Sequence, residues 1–176
     1  MKPSWQKKNF AHYCGSEFFL KLIEALRLDS KTRLALVGAG GKTSALFRLG
    51  RELLEMNQQS IPVAWLSSTT HLSQNQLGYA DRHVELSDES SDFQKFMEPS
   101  AKGMVLFTGP SVENERTAGL SLPVLDAIRA QADFLNIPII IEADGSKRLP
   151  AKAPAAHEPV IPDWIEQVVV LAGLSV

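Results

Sequence analysis

Short apolar runs that alternate with helical patterns constrain the fold of this chain more than any other feature. Five such runs lie within residues 33–37, 61–68, 103–109, 137–145 and 168–173. Each contains consecutive apolar residues instead of a strict alternation with polar ones. Strands buried on both faces have this pattern, which is typical of a parallel sheet covered by helices. The sequence therefore predicts an α/β fold with a doubly wound, mostly parallel sheet and helices on both faces.

Helical patterns lie between these strands. A first helix is predicted from a cap at Ser16 to Leu28, and a second begins at Thr43, with leucines at helical spacing as far as position 54. A third helix is predicted over 121–136, with a serine cap and a proline in its first turn. A shorter helical piece is predicted at 92–97, in a more polar part of the chain.

The chain is long enough for one domain with a sizeable core. We predict an N-terminal helical segment, residues 1–31, that packs on a P-loop-like α/β domain, residues 32–176. A parallel strand is normally followed by a helix, and the last predicted strand is not. We therefore expect a buried final strand in a domain that is truncated at its C-terminus, or a shortened relative of a longer protein.

Polar clusters follow four of the predicted strands, at the point where each strand ends. These clusters are residues 38–43, 67–71, 108–109 and 142–145. In parallel α/β sheets, ligands bind outside the carboxyl ends of the strands. We therefore expect the functional site at this edge of the sheet.

The first cluster, in the stretch "LVGAGGKTS", resembles a phosphate-binding loop. The usual spacing is G-x-x-x-x-G-K-[ST], whereas Gly38 begins a G-x-x-G-K-T pattern that is two residues shorter. Glycines let backbone amides approach phosphate oxygens, a following helix attracts the anion, Lys42 can reach the outer phosphates, and Thr43 can hold Mg²⁺. The candidate nucleotide-binding residues are Gly38, Ala39, Gly40, Gly41, Lys42 and Thr43.

Two other interpretations of the loop stay open. A dinucleotide fingerprint, G-x-G-x-x-G, fits Gly38 and Gly40 but meets Thr43 at the third glycine position. The acidic residue expected about 20 positions later, which would hold a ribose, is also missing. The other alternative is a structural turn without a ligand.

The fourth cluster supplies the carboxylates that a nucleotide–Mg²⁺ site needs at a neighbouring strand end. Glu142 is the candidate catalytic partner of Mg²⁺ or of a water molecule, and Thr43 is the other candidate metal ligand. Asp144 is a candidate general base or supporting group. An Asp-Gly turn after a strand is the structural alternative.

Several further residues are candidates with equally good structural explanations. Thr69 and Thr70 resemble hydroxyls that reach a metal or a terminal phosphate, but they also suit a capped loop. Lys152 lies in a basic, proline-rich loop that can hold phosphates or an anionic substrate, and His157 is a candidate for acid–base chemistry or metal binding.

Composition excludes some classes of function. The net charge of −2 does not favour nucleic-acid or anionic-membrane binding, and no apolar run reaches the roughly 18 residues of a membrane span. The single cysteine, Cys14, excludes a disulfide framework and a thiolate metal cluster. No signal peptide is recognisable, so we expect a cytoplasmic protein.

Four stretches together resemble the YqeC family. They are "LVGAGGKTS", "SSTTH", "IIIEADGSKRLPAKAPAAHEPVIP" and "VVVLAGL", and the proline-spaced "KAPAAHEPVIP" is the most specific. The resemblance extends from about Thr32 to the end. Family members are described as selenium-dependent molybdenum hydroxylase accessory proteins and look like P-loop nucleotide-binding proteins.

The resemblance implies ATP or GTP with Mg²⁺ as ligands, and a place in maturation of molybdenum hydroxylases or of the molybdopterin cofactor. Carried over by position, it assigns the nucleotide loop to 38–43, the hydroxyl cluster to 68–71 and the acidic motif to 142–145. It adds Lys152 and His157 in the loop that follows. Family members usually continue beyond the "LAGL" strand, so part of the substrate side is expected to be absent.

Three functions compete at this point. The first is an ATP- or GTP-dependent NTPase, kinase or ligase acting on a small anionic substrate such as a molybdopterin-type cofactor. The second is a nucleotide-gated chaperone or delivery protein for a molybdenum hydroxylase partner, and the third is an NAD(P)-binding oxidoreductase. A homodimer formed through a free sheet edge stays open as an alternative.

Overall fold

The computed structural model describes residues 20–56, 63–87, 102–144 and 159–173. Its elements, in chain order, are α1 (Leu22–Ala25), β1 (Arg33–Ala39), α2 (Lys42–Met56), β2 (Val63–Ser68), β3 (Leu72–Ser73), α3 (Gln74–Leu77), β4 (Arg82–Glu85), β5 (Gly103–Thr108), β6 (Ser111–Val112), β7 (Arg116–Thr117), α4 (Leu122–Leu135), β8 (Ile139–Glu142) and β9 (Gln167–Ala172). The helical piece predicted at 92–97 lies outside the described residues.

Six strands form one sheet in the order β4-β5-β2-β8-β1-β9. Every neighbouring pair in this sheet is parallel. The strand β8, although it comes late in the chain, lies between β1 and β2. Glu142 at its end therefore lies beside Leu36 of β1 on one side and beside Ser68 of β2 on the other.

Helices cover the two faces of this sheet, as the predicted α/β architecture requires. On one face, α4 packs its Val124, Leu125 and Ile128 against the inward residues of the central strands. On the other face, α2 contributes Leu46, Leu49 and Leu53 to a second core. Successive residues of β1 enter different cores, Leu34 and Leu36 on the α2 side and Ala35 on the α4 side. This explains why the strand is apolar at consecutive positions, and the arrangement is consistent with a doubly wound fold.

A small antiparallel sheet, β3-β7-β6, follows the carboxyl ends of β2 and β5. The backbone amide of Leu120 donates to the carbonyl of Ser68 at 2.8 Å, and that of Gly109 donates to the carbonyl of Ala118 at 2.9 Å. These bonds hold the small sheet at the edge where the predicted polar clusters lie. Its two-residue strands are too short to have a recognisable sequence pattern, so the sequence did not predict them.

Strand β9 corrects one prediction. It was expected to be a buried strand, but it forms the edge of the sheet, and Val168 and Val170 are 48% and 73% exposed. Their face lies next to the α4 core, where no described helix covers this end of the sheet. The alternate residues Val169 and Leu171 face the α2 core and are partly buried. Apolar composition alone does not distinguish an edge strand from a central one.

The N-terminal helix is short in the described part of the chain. The α1 segment ends well before Leu28, and residues before 20 lie outside the description. The backbone amide of Ile23 donates to the Glu52 carboxylate at 3.1 Å, which attaches α1 to α2. The division of the chain at residues 31 and 32 stays a prediction. Within the described ranges, none of the helices has both the length and the hydropathy needed to cross a membrane.

Candidate functional site

The end of β1 and the loop that leads into α2 contain three glycines with left-handed backbone. Gly38, Gly40 and Gly41 have φ angles of 94°, 77° and 82°. Side chains with a β-carbon disfavour this region, so the three glycines permit a turn that other residues would strain. The turn leads directly into α2, whose first residues are Lys42 and Thr43. The predicted strand, glycine loop and helix are therefore all present.

The three glycines do not have the same surroundings. A β-carbon on Gly38 would lie 2.2 Å from the carbonyl oxygen of Leu171, and one on Gly40 would lie 2.9 Å from the α-carbon of Gly173. Gly41 has open space on that side and is exposed. The first two glycines therefore let the loop pack against the end of β9. This packing role was not apparent from the sequence, where the glycines suggested a phosphate loop, a dinucleotide loop or a structural turn.

Lys42 turns back into the loop. Its side chain is 3% exposed although it begins a helix, and its Nζ donates a hydrogen bond to the carbonyl of Gly38. A buried ammonium group is costly unless polar partners surround it. The sequence thus places a positive charge inside the glycine turn, next to the backbone amides at the start of α2.

Two carboxylates close the same loop from β8. Glu142 Oε2 accepts a hydrogen bond from Thr43 Oγ1 at 2.8 Å, and Asp144 Oδ2 accepts one from the Gly38 amide at 3.2 Å. Glu142 and Asp144 are only 6% and 4% exposed. The structure therefore brings together the predicted loop residues and the predicted acidic residues, which are about a hundred positions apart in the sequence. The chemical roles given to them stay predictions.

Burial dominates the ionisation of Glu142. Loss of solvent raises the pKa of this carboxyl above its ordinary value of 4.5. The Thr43 hydrogen bond and the Lys42 charge oppose that shift, and the nearby Asp144 charge adds to it. The protonated form is thus favoured in the folded chain relative to the unfolded one.

We expect this shift to appear in the pH dependence of stability. Because the pKa of Glu142 is raised in the folded chain, proton binding to this carboxyl stabilises the fold. That stabilisation is fully present below the ordinary value of 4.5 and is lost as pH rises through the folded-state pKa. Glu142→Gln removes the ionisation. Its free energy of unfolding should therefore increase relative to the unmodified chain as pH rises from about 4.5 towards neutrality.

Urea denaturation of both proteins across that pH range measures this difference. Glu113→Gln removes a charge from an exposed position and controls for net charge. A difference between the Glu142 variant and the unmodified chain that stays constant with pH would contradict the expectation.

The serine–threonine cluster after β2 binds the acidic strand mainly through backbone groups and Ser68. The Ser68 hydroxyl lies within donating distance of two carbonyls, that of Thr70 at 2.9 Å and that of Glu142 at 3.1 Å. The amide of Thr69 donates to the Glu142 carbonyl at 3.0 Å. The Thr69 hydroxyl donates to the carbonyl of Val160 at 3.2 Å, and the amide of Thr70 donates to Ser68 Oγ at 3.0 Å. Thr69 and Thr70 thus lie beside the site. Sequence reasoning missed the linking role of Ser68, because one hydroxyl in "SSTTH" is not distinguishable from its neighbours.

The remaining candidates are not brought into this group by the described part of the chain. The His71 ring bonds the Thr117 carbonyl in the small sheet at 3.0 Å. Lys152 and His157 fall in the range 145–158, which lies outside the described residues.

Oxygen donors dominate the described site. The Thr43 hydroxyl and the Glu142 carboxylate are the hard ligands that Mg²⁺ prefers, and Mg²⁺ commonly takes few protein ligands beside water and substrate phosphate. No group of three or more histidine, cysteine or acidic side chains suited to a metal occurs among the described residues. The residues present fit a Mg²⁺ ion held together with an anionic ligand better than a metal held by protein alone.

The fold and site define an α/β protein in which a glycine-rich strand-to-helix loop faces buried carboxylates at the end of the neighbouring strand. Residues 34–176 match the family described as YqeC protein. The chain belongs to the YqeC family, as its motifs indicated.

A relative from Escherichia coli (strain K12), described as "Uncharacterized protein YqeC", is 31% identical over 141 residues. The match covers 74% of this chain and 47% of the relative, so the chain spans about half the length of the curated protein it matches. No solved structure matches significantly.

Proposed function

We propose that this chain is a Mg²⁺-dependent nucleotide-binding protein that holds ATP or GTP at residues 38–43, in a shortened, P-loop-like site. The observation that carries the proposal is the pairing of Thr43 with Glu142 at 2.8 Å, beside a glycine turn that contains a buried lysine. This pairing joins a candidate phosphate loop to a candidate magnesium carboxylate.

The loop has the chemistry of an anion site. Left-handed glycines are typical of loops whose successive backbone amides bind an anion, and the start of α2 adds the partial positive charge of a helix N-terminus. Lys42 supplies a full positive charge at the same place. Its ammonium group bonds the Gly38 carbonyl, and phosphate oxygens would take over that contact.

Thr43 and Glu142 would hold Mg²⁺, which when bound neutralises phosphate charge and fixes the phosphates in position. Their hydrogen bond shows that the two side chains already meet. Asp144 accepts a hydrogen bond from the Gly38 amide in the same loop. Among the described residues, it is the group that would accept a proton from an attacking nucleophile. His157 is the second candidate for that role.

For the wider role we favour an NTPase, kinase or ligase acting on a small anionic substrate, such as a molybdopterin-type cofactor or a selenium species. Most of the rate enhancement would then come from positioning and charge stabilisation. Its biological setting would be maturation of a molybdenum hydroxylase in the cytoplasm. This setting rests on the family resemblance. Lys152 would contribute to binding the anionic substrate.

One observation favours a nucleotide-gated delivery protein as the second candidate. Thr69 connects the Glu142 carbonyl to the Val160 carbonyl, so it joins the site to the segment that precedes β9. A shift of Glu142 on nucleotide binding would therefore be transmitted to that segment through Thr69 alone. Such a protein would bind nucleotide with little turnover until a hydroxylase partner is added.

Calorimetric titration with ATP, GTP and NADH, each with and without Mg²⁺, tests the proposal. Mg²⁺-dependent binding of a triphosphate is the expected result. NADH binding without Mg²⁺ would instead support a dinucleotide-binding oxidoreductase. Absence of binding by all three would contradict the nucleotide site.

The role of Glu142 has its own expected result. Glu142→Gln should weaken triphosphate binding at least tenfold in Mg²⁺ but by less than about twofold in EDTA, because the loss of a metal ligand affects only the metal-dependent contact. The two conditions are compared by the same titration. Equal losses in both would identify Glu142 as a structural carboxylate.

A further inference from the structure

A cleft of about 610 Å³ extends along α2 from the first turn of that helix. We call it the α2 cleft, and its lining includes Thr43, Ser44, Phe47, Arg48, Tyr79 and Met104. This volume lies within the range of small-molecule sites. In contrast, a cavity of about 280 Å³ is lined by Arg33, at the other end of β1.

One end of the α2 cleft belongs to the candidate phosphate site. Thr43, which bonds Glu142, also lines the cleft, and Ser44 follows it in the first turn of α2. Phe47 lies one turn further on the same side of the helix, with its β-carbon roughly 5–6 Å from those of the residues three and four positions earlier. A ligand whose phosphates lie at the start of α2 can therefore extend along the helix into the cleft.

Tyr79 provides an aromatic surface in this cleft. It is 61% exposed, and its ring meets the buried Phe47 ring edge to face, with centroids 5.5 Å apart and planes at 67°. Arg51 donates to the Tyr79 carbonyl at 3.1 Å and to both oxygens of Asp81 at 2.9 and 2.7 Å. Tyr79 is thus held in place by the Phe47 ring and through its backbone carbonyl, while most of the residue stays exposed.

The charged side chains of the cleft are already paired. Glu52 accepts from the Ile23 amide at 3.1 Å and from Arg48 Nε at 2.7 Å, one bond at each carboxylate oxygen. Arg51 is paired with Asp81. Stacking, more than hydrogen bonds to these charges, is therefore the contact that the cleft offers to a planar group.

We propose that the α2 cleft holds the base of the bound nucleotide, with the exposed Tyr79 ring as its stacking surface. This inference rests on the proposed function, since it takes the phosphates to lie at the glycine loop. Stacking tolerates different bases, because each has a π face. ATP and GTP are therefore expected to bind with affinities within about tenfold of each other.

Calorimetry with the full chain in Mg²⁺ compares ATP, GTP and inorganic tripolyphosphate, which has no base. Tyr79→Ala should weaken ATP and GTP binding by about 5- to 100-fold and leave tripolyphosphate binding within twofold. Tyr79→Phe, which keeps the ring, should bind all three ligands as the unmodified chain does. Phe134→Ala removes a ring that is 79% exposed on α4 and should change nothing.

Two other results would overturn the inference. If Tyr79→Ala leaves ATP and GTP affinity unchanged while tripolyphosphate still binds, the base lies elsewhere and the phosphate site stands. If Tyr79→Ala weakens tripolyphosphate binding as much as ATP binding, Tyr79 stabilises the fold and does not contact the base. An unmodified chain that binds neither triphosphate nor tripolyphosphate would overturn the proposed function itself.

Discussion

Replacing Lys42 with alanine is expected to weaken Mg²⁺–ATP or Mg²⁺–GTP binding by about 2–4 kcal/mol, roughly 30- to 700-fold. The ammonium group is buried within the glycine turn, where its attraction to phosphate is screened little by water. In the proposed function, Lys42 supplies the full positive charge with which the described loop binds the phosphates. Calorimetric titration of the unmodified and variant chains measures the loss directly.

Two further variants show whether charge is the cause. Lys42→Met keeps most of the side-chain volume without the charge and should lose a similar amount. Lys31→Ala removes an exposed lysine next to the start of β1 and should leave affinity unchanged within about twofold. A loss of tenfold or less in Lys42→Ala would contradict a direct phosphate contact.

Replacing Gly38 with alanine is expected to reduce the free energy of unfolding by about 3 kcal/mol or more. Left-handed backbone costs an alanine roughly 1–2 kcal/mol, and overpacking in a tight interior typically costs a further 1–3 kcal/mol. Here the new β-carbon would lie 2.2 Å from the Leu171 carbonyl oxygen. Because this oxygen belongs to the backbone, it cannot move aside by a change of rotamer. The end of β9 would have to separate from β1.

Gly41→Ala is the matched control, because Gly41 also has a positive φ angle, of 82°, but its β-carbon would meet nothing within 4 Å. It should cost only about 1 kcal/mol. Urea denaturation followed by circular dichroism measures both variants. Equal destabilisation would show that backbone conformation, and not contact with β9, makes Gly38 necessary.

Four strands of the large sheet, β1, β2, β5 and β8, follow from sequence because burial on both faces leaves a pattern of consecutive apolar residues. The same pattern predicted β9, although one face of that strand is exposed. Ile139–Ile141 and Leu34–Val37 show it most clearly, since their neighbouring side chains enter opposite cores. β4 lacks this pattern: it pairs on one side only, and of Arg82, His83, Val84 and Glu85 only the valine is buried. The sequence therefore did not predict it.

The candidate site was predictable in its parts but not in its contacts. The glycine loop and the acidic strand end each follow a strand, and the general rule for parallel sheets places both at one edge. Which strands are neighbours depends on long-range pairing that local patterns do not encode. The Thr43–Glu142 and Gly38–Asp144 bonds require β8 beside β1, and the packing of Gly38 on Leu171 requires β9 on the other side.

The position of β8 between β1 and β2 also has a consequence for biosynthesis. Thr43 and Glu142 are 99 positions apart, and Gly38 and Asp144 are 106 apart, so neither contact can form before residues 142–144 have left the ribosome. Pairing of such distant segments is slow compared with local helix formation. A ligand that bridges them binds only the folded chain and stabilises it by mass action. If the proposed nucleotide site is occupied, nucleotide is therefore expected to protect newly made chains from proteolysis only once the central strands have paired.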